Sequence, residues 1–226
     1  MDGVRSFQWS PSDNLVSLWI PEHLNQPAKV VLMELPSRTE IRQKNLFNVA
    51  DIRLTWHPQG HFLCVKVDKH SKSKKTLNSA FELFRVLDKD VPIEVKEFDK
   101  DKVIVAFAWE PKGLRFACVV GEGGSQRMDV MLYTMGSKHN GRYSELKQFE
   151  RKPADRLFWS PAGNILLLAN LKGTAGQLEW VDANTQQTIG EADHFMCSDI
   201  EWDPTGRFVA TSVAHWRHQM DYILWK

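Results

Sequence analysis

The residues best suited to chemistry form a lysine run, Lys69-His-Ser-Lys72-Ser-Lys74-Lys75, with four cations in seven residues and no acid among them. Clustered lysines can displace the condensed counterions of a nucleic acid, so the run is a candidate contact for RNA phosphates. The alternative is an ordinary solvated loop. A second, weaker basic cluster consists of Arg38, Arg42 and Lys44.

Other reactive residue types in the chain have simpler structural interpretations. His215 and His218 make half a metal site, but no cysteine or carboxylate pair has matching ligand spacing. The glycines of Gly121-Glu-Gly-Gly124 lack the spacing and the following helix of a phosphate-binding loop, which favours a turn between strands. Ser10 and Ser160 do not occur in a G-x-S-x-G sequence and are typical of turns. We therefore predict no catalytic residues, no cofactor, no metal and no enzyme activity.

The composition is that of an ordinary globular protein. The net charge of +1 argues against a uniformly basic nucleic-acid binder, so any attraction to phosphate must come from a local patch. No apolar run approaches the roughly 18 residues needed to span a bilayer, and we expect no membrane contact. Cys64, Cys118 and Cys197 lie far apart in apolar segments, which indicates buried thiols in a reducing compartment, the cytoplasm.

An internal repeat extends along the whole chain. The pattern Trp-x-Pro-x-[Gly/Asp] occurs five times, at intervals of 47, 53, 50 and 43 residues. Its tryptophans are Trp9, Trp56, Trp109, Trp159 and Trp202. Blades of β-propellers repeat at roughly 40 to 50 residues, with four antiparallel strands each. Because the tryptophans recur at one place in the repeat, we expect them to pack between neighbouring blades.

Each repeat predicts a strand, a tight turn at the proline, and three further strands. The first repeat should end with a strand over about Glu40 to Val49, and the incomplete last repeat with a strand over Tyr222 to Trp225. Lys69 to Asn78 should be irregular, and helix should be scarce because no long window has helical spacing. The prediction is an all-β, WD40-like β-propeller domain over 1–226, of about four and three-quarter blades. The approximate blades are 1–50, 51–102, 103–153, 154–197 and an incomplete 198–226.

Three segments carry a more specific resemblance. They are Asn25-Gln-Pro-Ala-Lys-Val-Val-Leu-Met-Glu-Leu-Pro-Ser-Arg38, Val103-Ile-Val-Ala-Phe-Ala-Trp-Glu-Pro-Lys-Gly113 and Ser198-Asp-Ile-Glu-Trp-Asp-Pro-Thr-Gly-Arg-Phe-Val-Ala-Thr-Ser-Val213. In these, and along essentially all of its length, the chain resembles the family of the b subunit of eukaryotic translation initiation factor 3. The resemblance implies that these repeats are part of a larger, roughly nine-bladed ring.

The resemblance also implies a function. In that family an RNA-recognition motif precedes the propeller, and a C-terminal helical tail docks the i and g subunits. The expected role is a scaffold subunit, assembled with the a subunit and others, that binds the small ribosomal subunit during initiation on mRNA. This sequence has no RNP aromatic signature and no helical tail, so we expect neither of those two contacts from its residues. The alternatives are another propeller-type initiation factor or a general WD40 protein-interaction scaffold.

Overall fold

The structure is a computed structural model that describes residues 3–70, 77–136 and 142–214. These residues form strands joined by turns, and no helix occurs among them. Two compact units divide the chain, one of residues 1–104 and 137–142, the other of residues 105–136 and 143–226.

The first unit contains two four-stranded sheets in which sequence neighbours are also sheet neighbours. The first sheet consists of β1 (Ser6–Trp9), β2 (Leu15–Ile20), β3 (Ala28–Glu34) and β4 (Thr39–Leu46). The second consists of β5 (Val49–Trp56), β6 (Phe62–His70), β7 (Leu77–Arg85) and β8 (Ile93–Glu97). Every pairing with a defined register in these two sheets is antiparallel.

Apart from residues 102–104 at the start of its first strand, the second unit contains two more four-stranded sheets and a two-stranded one. The third sheet consists of β9 (Lys102–Trp109), β10 (Arg115–Glu122), β11 (Met128–Thr134) and β12 (Ser144–Lys152). The fourth consists of β13 (Arg156–Trp159), β14 (Ile165–Ala169), β15 (Gln177–Asp182) and β16 (Gln187–Asp193). The fifth consists of β17 (Asp199–Trp202) and β18 (Val209–Ser212).

The repeat tryptophans all occupy the last position of a first strand, namely β1, β5, β9, β13 and β17. The indole of Trp159 donates to the carbonyl of Ala108 at 3.2 Å, and that of Trp202 to the carbonyl of Phe158 at 3.4 Å. In the first unit, Trp56 donates to the carbonyl of Gln8 at 3.3 Å. Each acceptor immediately precedes the tryptophan of the previous sheet, so the same hydrogen bond occurs between sheets within each unit.

Apolar side chains fill the space between consecutive sheets of a unit. In the first unit, Val30 and Leu32 of one sheet pack in a single cluster with Leu63 and Val65 of the next. In the second unit, one cluster joins the third and fourth sheets and another joins the fourth and fifth. A sheet buries both faces in this way only when it has a neighbour on each side.

The turn after each repeat tryptophan is held by polar side chains. Ser160 is fully buried, where its hydroxyl donates to Asn164 Oδ1 at 2.9 Å and accepts from the amide of Ile165 at 3.0 Å. In the last repeat, Asp203 Oδ1 accepts from the amide of Phe208 at 2.7 Å. Hydrogen bonds, first of all from the Thr205 hydroxyl, hold the pKa of Asp203 below its usual value. The serine and carboxylate therefore stabilise turns.

A partly buried arginine links the turns of the third and fourth sheets. Arg115 on β10 donates from Nη2 to Glu110 Oε1 at 2.7 Å and to the carbonyl of Gly163 at 2.9 Å. Its Nη1 donates to the carbonyl of Ala183 at 2.8 Å. The planar guanidinium group suits such a site because its fixed N–H donors can bond several acceptors at once.

The predicted fold class is confirmed, while several predicted strand limits are wrong. The chain leaves β4 at Leu46 and enters β5 at Val49, because Asn48 has a left-handed φ of 57° that turns the chain. Lys69 and Asn78, at the ends of the stretch predicted to be irregular, pair with each other in the second sheet. The strand predicted over Tyr222 to Trp225 lies outside the described residues. The blade count and the assignment of 1–226 to one domain stay predictions.

We expect the repeated indole hydrogen bond to contribute measurably to stability. Trp159→Phe keeps the apolar ring but removes the N–H, and should lower the free energy of unfolding by about 1 kcal/mol. Trp159→Ala should cost about 3 to 5 kcal/mol, because the ring is 8% exposed. Denaturant unfolding of each variant measures these losses. Trp9→Phe is the matched control: Trp9 has the same repeat position but is 57% exposed, so its loss should stay below about 0.5 kcal/mol. Equal losses of unfolding free energy for Trp159→Phe and Trp9→Phe would contradict a stabilising role for the indole hydrogen bond.

Candidate nucleic-acid interface

The predicted basic residues that the structure describes all belong to the first unit. Arg38 lies in the β3–β4 turn, Arg42 and Lys44 on β4, and Lys69 near the end of β6. The remaining members of the lysine run, Lys72, Lys74 and Lys75, lie outside the described residues. The structure therefore describes only part of the predicted surface.

Strand β4 presents its cations because it is the free edge of the first sheet. Arg42 and Lys44 lie directly opposite Leu32 and Val30 on β3, both of which are fully buried. Cross-strand partners share one face, so the stems of these two cations extend over the apolar core and their charged ends reach its rim. Charged side chains on an edge strand also discourage pairing with another strand.

The charged end of Lys44 faces a buried carboxylate. Its Nζ lies 3.7 Å from Oε2 of Glu82, a β7 residue that is 3% exposed. Burial raises the pKa of Glu82, while the positive charges of Lys44 and Lys69 oppose that rise. Lys44 therefore has a structural partner in addition to any contact it makes in a complex.

Lys69 is paired as well. Its Nζ lies 3.0 Å from Oε1 of Glu97 on β8, whose side chain is largely exposed. An ion pair of this kind contributes little to stability, and a phosphate could compete for the lysine. The positive charges of Lys44 and Lys69 both oppose the rise in the pKa of Glu82, although the two lysines belong to separate clusters in the sequence.

Arg38 and Arg42 are different. Both are exposed, and among the described residues neither lies within ion-pairing distance of a carboxylate. Arg38 has a φ of 60° in the β3–β4 turn. Guanidinium groups without a carboxylate partner can accept phosphate in a bidentate geometry. Of the described cations predicted for the interface, these two are the ones without a carboxylate partner among the described residues.

The edge strands differ in charge. In the first sheet, β4 carries Arg42 and Lys44 against Glu40. In the fourth sheet, β16 carries Glu191 and Asp193 and no cation. A polyanion would therefore favour the edge of the first sheet over that of the fourth.

Glu82 is the one site residue that the sequence reasoning missed. It lies in the apolar segment Ala80-Phe81-Glu82-Leu83-Phe84, at a position that alternation assigns to the same face as Ala80 and Phe84. An acid within a buried strand is rarely fully buried unless it is paired, so its presence could have indicated a nearby cation. Nothing local points to Lys44, which lies on another sheet.

The described residues contain no candidate metal centre. Across 3–70, 77–136 and 142–214, no group of three or more His, Cys, Asp or Glu side chains could hold a metal ion. His215 and His218 lie outside these ranges. Nor do these ranges contain a helix that is long and apolar enough to cross a membrane.

Consecutive four-stranded sheets joined by a repeated indole bond define a WD40-like β-propeller protein. The chain is similar to a crystal structure described as the eukaryotic initiation factor, with a TM-score of 0.80, 21% identity, and 98% of this chain and 52% of that chain covered. It is also similar to the C-terminal WD40 domain of Sif2, with a TM-score of 0.62, 15% identity and coverages of 94% and 56%. At these identities the likenesses show the fold alone.

Sequence comparison identifies the family. The model for "Eukaryotic translation initiation factor eIF2A" matches residues 44–225, well over half of the chain, which therefore belongs to that family. The b subunit of eukaryotic translation initiation factor 3 from Xenopus laevis is 44% identical over 99% of this chain and 32% of the relative. Its counterpart from Nicotiana tabacum is 44% identical over 98% and 31%. The resemblance predicted from sequence is confirmed, and the chain spans about a third of the length of these relatives.

Lys44 should stabilise the fold in a pH-dependent way. The folded-state pKa of Glu82 is raised, so its ionised form lowers stability at neutral pH, and this cost disappears below the ordinary carboxyl pKa. Lys44→Met raises that pKa further. We expect a loss of about 1 kcal/mol in unfolding free energy at pH 7, limited by the partial exposure of Lys44, and little loss near pH 4. Denaturant unfolding at both pH values tests this expectation. The double variant with Glu82→Gln should show no such pH dependence, and an equal loss at both pH values would contradict the pairing.

Proposed function

We propose that the protein acts in translation initiation as a non-enzymatic scaffold subunit of a cytoplasmic, multisubunit factor. Membership of an initiation-factor family, with relatives named as the b subunit of initiation factor 3, is the observation that carries this proposal. The propeller contributes surfaces for the small ribosomal subunit and for other subunits of the same factor. Those subunits include a, whereas i and g dock in this family through a C-terminal helical tail and not through the residues of this chain.

The contact with the ribosome is electrostatic in this proposal. Arg38 and Arg42, exposed and free of described carboxylate partners, bind ribosomal RNA phosphates from the edge of the first sheet. The lysine run from Lys69 to Lys75 adds further phosphate contacts, and Lys44 does so only at the expense of its contact with Glu82. A backbone contact of this type positions the protein without reading base sequence.

A general protein-interaction scaffold is the second candidate. The near-neutral net charge and the carboxylate partners of Lys44 and Lys69 favour it. The WD40 domain of Sif2 has the same fold, so the fold does not separate the two candidates. Salt dependence separates them, because only a phosphate contact releases condensed counterions.

The two arginines provide the first test. In the intact protein, Arg38→Gln with Arg42→Gln should leave unfolding within about 0.5 kcal/mol of wild type, as for other surface changes. Affinity for purified small ribosomal subunits should fall, and the slope of log K against log salt should flatten by up to about 2, at about 0.9 per contact. Arg127→Gln with Arg207→Gln removes the same charge from exposed positions of the second unit and should change neither value. Equal affinities and parallel salt dependences for both double variants would reject the arginine contact.

The lysine run provides a separate test. Replacing Lys72, Lys74 and Lys75 with Ala should flatten the salt slope by up to about 2 to 3, again without loss of stability. Equilibrium binding at four or more salt concentrations gives the slope for each protein. An unchanged slope would mean that the run is an ordinary solvated loop.

A further inference from the structure

Glu82 places a carboxylate against the apolar cluster between the first two sheets. It lies opposite Val65 on β6, while Lys44 lies opposite Val30 on β3, and both valines belong to that cluster. Cross-strand partners share one face, so Glu82 faces the cluster and not bulk water. A buried charge is costly unless it is paired. Among the described residues, Lys44 is the one cation within ion-pairing distance of Glu82.

The contact between Lys44 and Glu82 is loose, and solvent reaches it from one side only. The two charged atoms, Nζ and Oε2, are 3.7 Å apart, and among the described residues Oε2 has no hydrogen-bond partner. The side chain of Lys44 is 36% exposed and that of Glu82 only 4%. An anion in solution can therefore reach Lys44, but it cannot take the place of Glu82.

The charges around Glu82 come from three strands. Lys44 lies on β4, Lys69 on β6 and Glu97 on β8, whereas β3 contributes alanine, valine and leucine side chains to the cluster. Burial raises the pKa of Glu82, the two lysines oppose that rise, and Glu97 adds to it. Because Lys69 is itself paired with Glu97 at 3.0 Å, Lys44 is the main compensating charge that a ligand could remove.

A phosphate on Lys44 would change the surroundings of Glu82 in two ways. The lysine would turn toward the phosphate, so the carboxylate would lose its nearest cation. The phosphate would also bring a second negative charge close to the carboxylate. Both changes disfavour the ionised form of a buried acid and favour its neutral form.

We propose that Lys44 and Glu82 form a proton-linked switch, in which Glu82 takes up one proton from solvent when an RNA phosphate binds Lys44 and returns it when the phosphate leaves. The proposal rests on the proposed function for the RNA contact itself. It goes beyond that function because it makes a buried residue that does not touch RNA control the affinity. Linkage is reciprocal, so protonation of Glu82 and binding of RNA each promote the other.

The sign of the pH dependence follows from this linkage. The pKa of Glu82 is raised in the free protein and, in the proposal, raised further in the complex. The complex therefore binds more protons than its free components. Affinity for RNA should be greatest below the free-state pKa and should fall as the pH rises above it, until Glu82 is ionised in the complex as well.

The test measures the affinity of the intact protein for a fluorescent RNA hairpin at constant salt, from about pH 5.5 to about pH 8. Over this range the affinity of wild type should fall about tenfold more than that of Glu82→Gln, which corresponds to a difference of about one pKa unit. Glutamine cannot ionise, so at the upper pH Glu82→Gln should bind about tenfold more tightly than wild type. Lys44→Gln should lose the same excess pH dependence but bind no more tightly than wild type, which keeps the test open if Glu82→Gln fails to fold.

Glu40→Gln is the matched control. Glu40 is an exposed acid on β4, the strand that carries Lys44, so the variant removes the same charge from the same edge. It should keep the full pH dependence of wild type. Equal pH dependence in wild type and Glu82→Gln would overturn the switch, as would a gain in affinity that Glu40→Gln matches. RNA binding that does not vary with pH would overturn the switch alone, whereas absence of RNA binding at every pH would overturn the proposed RNA contact as well.

Discussion

A hydrogen bond from a tryptophan indole to the carbonyl that precedes the previous repeat tryptophan joins one sheet to the next. It recurs from Trp56 to Gln8, from Trp159 to Ala108 and from Trp202 to Phe158. A single four-stranded sheet has two apolar faces and cannot bury either alone, so it depends on being stacked in register with a neighbour. The bond satisfies the indole N–H and fixes that register at the first strand. The apolar clusters then form between faces, and the fourth strands remain as edges that can carry charge.

Two charged side chains that are partly or fully removed from solvent are compensated to different extents. Arg115 has its donors directed at Glu110 and at turn carbonyls, so the charge is paired and the guanidinium is hydrogen-bonded. Glu82 is less well satisfied: among the described residues its Oε2 has no hydrogen-bond partner, and Lys44 lies 3.7 Å away. A buried ion is stabilised only when its partners compensate for lost hydration. Glu82 therefore has a raised pKa, and Lys44 has a structural role that a purely electrostatic interpretation of its cluster would overlook.

The residues available for recognition lie on edge strands and loops, where the repeat constrains the sequence least. The indole bonds and cores constrain the first three strands of a sheet, whereas an edge strand and the loops are free to vary. Arg42 extends from such an edge, and Arg38 from the turn that precedes it. A guanidinium at either position can recognise phosphate in water. The charge and polarity of edge strands and loops can therefore vary without disturbing the core.

The spacing of five tryptophans was enough to predict the fold class, since residues at the end of each first strand are defined by a local pattern of tryptophan, proline and glycine. Segments such as Asn25 to Arg38 were enough to indicate the family. The ion contact between Lys44 and Glu82 was not predictable, because 38 residues and two different sheets separate the pair. The exposure of a side chain was not predictable from the sequence either. Trp9 and Trp159 have the same repeat position, yet Trp9 is 57% exposed and Trp159 is 8% exposed. Local pattern determines which strands and turns form, because those depend on neighbouring residues. Only the stacking of sheets decides which charges are paired and which apolar side chains remain in water.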